Sequence, residues 1–100
     1  MTLSREDFIF TIGYEGRTAI VDGKAKREYG KLSTMELAEK GLFRAAFCSA
    51  LYSGDPEEIQ AFIDYYNRVN GVREYTLEAC KRLFGVDGVP EGVERVLEVR

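Results

Sequence analysis

A chain of 100 residues with 14 Lys/Arg against 17 Asp/Glu, a net charge of −3, is sized for one domain. Its 45% hydrophobic content lies far from the disordered regime, and its mild acidity gives no overall field toward nucleic acid or an anionic membrane. The lack of any histidine excludes Ser-His and Cys-His nucleophile pairs and the usual zinc and iron triads.

In chain order, Phe8, Phe10, Ile12 and Tyr14 alternate with Ile9, Thr11 and Gly13, a period of two that predicts a strand. Glu15-Gly16 supplies a turn and Arg17 to Asp22 (RTAIVD) a second strand, so a β-hairpin is expected. Gly13 inside the first strand marks a bulge or a close backbone approach. The segment GKAKREYGKL reads as a polar connection. Ser33 and Glu36 then form an S-x-x-E capping box, which predicts a helix over 34–52 ending at Ser53-Gly54.

Asp55-Pro56-Glu57-Glu58 opens the next helix: Asp as cap, Pro in the first position, acids in the first turn. Ile59, Phe62, Ile63, Tyr66 and Val69 form its apolar stripe, and Asn70-Gly71 ends it. A further helix spans roughly Glu74 to Phe84 and stops at Gly85. In the tail, Val93, Val96 and Leu97 fit a helix and Val93, Leu97 and Val99 a strand; the β-branched content favours a strand beside the hairpin. The expected class is α+β. Residues 1–100 form one domain, an N-terminal β-hairpin with or without a third, C-terminal strand, packed with three to four helices around a central apolar helix.

That helix is the organising feature. Between Leu42 and Tyr52 the one charge is Arg44. A helix apolar nearly all round must be covered on more than one side. Unbroken, residues 34–52 reach about 28 Å, nearly the width of a domain this size. Gly41, which costs roughly 1 kcal/mol inside a helix, is where it would break. Gly41, Ala45 and Ser49 make a row of small residues at i, i+4 and i+8. The row packs against another helix of the same chain or forms a homodimer seam. On the following helix, Tyr65 beside Phe62 could anchor a partner. Arg44 either reaches solvent along its own stem or, held among Phe43, Phe47 and Tyr52, needs an anionic partner.

Lys24, Lys26, Arg27 and Lys31 form the one local charge excess, interrupted by Glu28. Lying just before a helix start, they could hold a phosphate or an RNA backbone; the plainer alternative is a solvated connection. The glycine spacing of a P-loop is missing, and only Tyr29 is available for stacking. Asp55, Glu57 and Glu58 are explained by capping, and Glu36 and Glu39 by helix-turn and solvent positions. No catalytic residue, metal ligand or cofactor is therefore assigned.

Cys48 and Cys80 fit two reduced core thiols of a cytoplasmic protein. MTLSREDF has no apolar signal region, and the longest nearly apolar run is too short to span a bilayer. The function expected is a non-enzymatic interaction or regulatory domain, self-associating as a dimer through the apolar helix or the stripe from 59 to 69. The alternative is a small-anion or nucleic-acid-binding module using 24–31, with a small anionic ligand the more expected of the two. An enzyme working through carboxylates or Cys48 comes last.

Overall fold

A computed structural model describes residues 3–71 and 74–99. Its first element is a short helix, α1 (Arg5–Ile9), where the alternation predicted a strand from Phe8. The Ser4 side chain caps α1 by accepting from the Asp7 N–H, and Glu6 and Asp7 fill the first turn. Phe8, Ile9 and Phe10 are all buried, which a strand with one open face does not permit for three successive residues. The strand β1 begins only at Thr11 and runs Thr11–Glu15.

β1 pairs antiparallel with β2 (Thr18–Asp22), as the hairpin reading expected. The turn places Gly16 at φ 56°, a conformation glycine adopts without penalty. The register shifts between Thr11 and Gly13, so the bulge falls at Ile12. A Cβ built on Gly13 would meet nothing within 4 Å, so no backbone approaches it closely. The tail resolves as a strand, β3 (Arg95–Val99), parallel to β2, and the three-stranded sheet has the order β1-β2-β3.

Six helices appear among the described residues, more than the three to four expected. One addition is α2 (Gly23–Tyr29), which replaces the predicted polar connection. Asp22 caps it by accepting from the Ala25 N–H, and its half-buried Ala25 and Tyr29 rest on the core at a spacing of four.

Besides α1, the remaining addition comes from Gly41. The Ser33–Glu36 capping box is present and starts α3 (Thr34–Glu39). Gly41 then takes φ 81° and Leu42 N–H returns to Leu37 O, a Schellman stop. The predicted single helix is thus two, α3 and α4 (Phe43–Ser53).

α4 is the buried centre: Ala45 through Ala50 are all buried without interruption. α1, α3, α5 (Pro56–Asn70) and α6 (Leu77–Phe84) pack around it. Its lack of a polar face is therefore met by its own chain. The predicted caps of α5 are in place, Asp55 and Pro56 at its start and Gly71 in the left-handed conformation at its end. The expected start of α6 at Glu74 moves to Leu77, because the Thr76 side chain accepts from Ala79 N–H and sets the cap there. Phe47 and Phe62 meet at 5.7 Å and Phe62 stacks on Tyr66 at 5.9 Å, with Phe84 against all three rings. No described helix is long and apolar enough to cross a membrane.

Candidate functional site

The basic segment does not gather into one cradle. Lys24, Lys26 and Arg27 lie on α2, and Lys31 lies beyond its end. Lys26 is held by two carboxylates, with Nζ 2.7 Å from Asp7 Oδ1 and 2.8 Å from Glu98 Oε2. Arg27 Nη1 stands 3.9 Å from Glu98 Oε1. These contacts fasten α2 to α1 and β3. The hydrogen bond to Asp7, and then that to Glu98, raises the pKa of Lys26 above its ordinary value.

Arg44 is exposed, and carbonyls stand where an anionic partner was sought. Its Nε donates to Phe84 O at 3.2 Å and its Nη1 to Thr11 O at 3.1 Å. It thereby ties the end of α6, where a cation is favoured, to β1 and the start of α4.

Lys31 borders a different place, a polar crevice of about 370 Å³ that it shares with Arg5, Thr34, Ser49 and Glu58. Arg5 Nη1 donates to Gly30 O at 2.8 Å and approaches Glu6 Oε2 at 3.5 Å; Nη2 donates to Leu32 O and to Ser49 Oγ at 3.0 Å; Nε reaches Ser49 Oγ at 3.3 Å. A guanidinium has five N–H groups, and protein acceptors take up all of those directions. Thr34 Oγ1 lies 2.7 Å from Ser49 Oγ and donates to Glu58. The network ties helices together and takes up the Arg5 guanidinium, so that of the crevice's two cations only Lys31 stands outside it.

The row Gly41, Ala45, Ser49 is not a surface seam. Gly41 lies outside α4, Ala45 is buried, and Ser49 is spent on Arg5 and Thr34. Phe62 is wholly enclosed by its own chain, so it does not face outward either. Tyr65 is half-buried, with the Arg68 guanidinium 5.6 Å above its ring. Cys48 is also enclosed, and burial pushes its thiol up to about 11, the reverse of what a nucleophilic cysteine needs. Burial raises Cys80 in the same direction.

What the fold does leave open is one face of the sheet. Register partners point the same way, so Ala19, Val21, Val96 and Thr11 share the face turned toward the helices. Ala19 and Val21 are fully buried there. The opposite face carries Glu15, Thr18 and Arg95 in one row and Gly13, Ile20 and Leu97 in the next, with Asp22 and Val99 beyond. Leu97 is 53% exposed. A shallow depression of about 310 Å³ on this face is lined by Glu15, Thr18, Ile20, Arg95, Val96 and Leu97, all residues of the sheet itself.

Both strands are legible in the sequence, but this face is not. Its signal was the second apolar set in RTAIVD and RVLEV, where Ile20 and Leu97 fall out of phase with Ala19, Val21 and Val96. Compared with known proteins, the chain matches no family model, no curated protein and no solved structure.

Proposed function

We propose that this chain is a non-enzymatic interaction domain that self-associates through the open face of its sheet. The observation that carries the reading is the exposed Leu97 beside Ile20 on a sheet whose helices pack against the other face. A small sheet covered on one side gains by covering the second, and a copy of the same chain offers a matching face. The self-association expected of α4 passes to the sheet, because α4 is covered from within. Cys48 and Cys80, free and buried, suit the reducing conditions of the cytoplasm, where the proposal places the domain.

The test replaces Leu97 by Asp. The side chain is exposed in the single chain, so folding is retained, while a carboxylate set into an apolar contact opposes association. Sedimentation velocity at matched concentrations should show the wild type sedimenting faster as concentration rises and Leu97→Asp remaining a monomer. Equal behaviour of the two chains would remove the sheet face from the account.

A further inference from the structure

We infer that two copies pack sheet on sheet about a two-fold axis running along β2, so that β1 of each lies over β3 of the other. This rests on the self-association reading above and specifies its geometry. The sheet order is β1-β2-β3, so β2 is the middle strand and the only one that such an axis returns onto itself.

The open face is a grid. Glu15 and Arg95 both align with Thr18, one on each side of it, about 10 Å apart across two strand spacings. Both are exposed, and neither forms an ion pair among the described residues. Rotation about an axis along β2 exchanges the edges and keeps the rows. Glu15 then comes over the partner's Arg95, and Arg95 over the partner's Glu15. The next row aligns Gly13, Ile20 and Leu97. There the same rotation sets Leu97 over the partner's Gly13, where a missing side chain leaves a socket. Ile20 meets the partner's Ile20 on the axis.

The competing face-to-face axis runs across the strands and reverses the rows. It would set Arg95 over the partner's Val99 and Thr18 over the partner's Asp22, so that Arg95 has a carboxylate only one strand away and Glu15 has no basic residue opposite it. Charge complementarity therefore selects the axis along β2. The footprint is small: three strands of five residues cover about 14 by 17 Å, well under the roughly 800 Å² per partner of a standard interface. The dimer is accordingly a weak, concentration-dependent one.

Charge reversal tests the geometry. Glu15→Arg and Arg95→Glu, each alone, set like charges together twice per dimer and should weaken association about ten-fold. The chain carrying both reversals re-forms opposite pairs and should regain the wild-type constant. Gly13→Val supplies an independent arm. Gly13 has no positive φ and open space where its Cβ would stand, so Val is tolerated in the single chain and fits a strand better. Its melting temperature at low concentration should be unchanged or higher, while its association weakens about ten-fold.

If the double reversal stays as weak as the singles, or Gly13→Val associates like the wild type, this two-fold is wrong, even where Leu97→Asp still abolishes association. A wild type that is monomeric at millimolar concentration removes the geometry and the self-association reading together.

Discussion

The Arg5 guanidinium donates from Nη2 to the Ser49 hydroxyl at 3.0 Å, joining the first helix to the buried helix α4. Because the same side chain also meets Gly30 O and Leu32 O, it closes the passage from α2 to α3. Arg5→Met keeps most of the stem and removes the fork, leaving these acceptors unmet. A loss of about 2–3 kcal/mol in urea unfolding is expected. Arg5→Lys should recover less than half of it, since one ammonium cannot span acceptors that a planar fork reaches together. Wild-type stability in Arg5→Met would show that the fork contributes nothing.

Lys26 predicts an alkaline limit. Its folded pKa is raised by Asp7 first and Glu98 second. A group raised on folding lends its full contribution below the unfolded pKa and loses it as pH climbs through the folded value. The buried Oδ1 of Asp7 depends on this ammonium, with no other hydrogen-bond partner among the described residues. Lys26→Met should therefore be less stable than wild type at pH 7, by about 1 kcal/mol. The gap should begin to narrow only above about pH 10, near the ordinary lysine pKa, and close as pH passes the raised folded value. Denaturation midpoints across pH 7 to 11 read it directly, and a constant gap would contradict the ion-pair account. Glu36 has the opposite sign: the Ser33 backbone N–H lowers its pKa first and the Ser33 side chain second. Its contribution is held above the unfolded carboxylate pKa and lost on acidification, so Glu36→Gln should flatten the acid limb.

Phe62 separates core from interface. Enclosed among Phe47, Tyr66 and Phe84, it should cost about 3–5 kcal/mol when replaced by Ala. The association constant of the folded fraction should stay at the wild-type value. A variant with normal stability and lost association would restore Phe62 to the surface role that its sequence position suggested.

Cys48 should be inert. With burial raising its pKa to about 11, little thiolate is present near neutrality. A chromogenic disulfide reagent should label it only upon unfolding, at a rate that follows denaturant. Prompt labelling of Cys48 in the native protein would mean that α4 opens readily.

Local signals were legible in the sequence and non-local ones were not. Ser33 with Glu36, Asp55 with Pro56, and Gly71 and Gly85 each satisfy backbone groups within a few residues, so their positions could be read directly. Phe8 to Phe10 were misassigned because an apolar run of three carries no period, while Ser4 and Asp7, just upstream, held the helix signal. The apolar character of α4 was plain, but whether its cover came from this chain or another depended on how α1, α3, α5 and α6 fold around it. The open face was hidden for a related reason. Glu15 and Arg95 are brought into one row only by pairing β3 parallel to β2 across more than seventy residues of intervening chain.

Sedimentation equilibrium of the wild-type chain from micromolar to millimolar concentration tests the central claim most directly. The account predicts a weight-average mass that rises from that of one chain toward twice that value and does not exceed it. A mass fixed at one chain throughout, or one that climbs past two, would contradict a closed dimer built on the open face of the sheet.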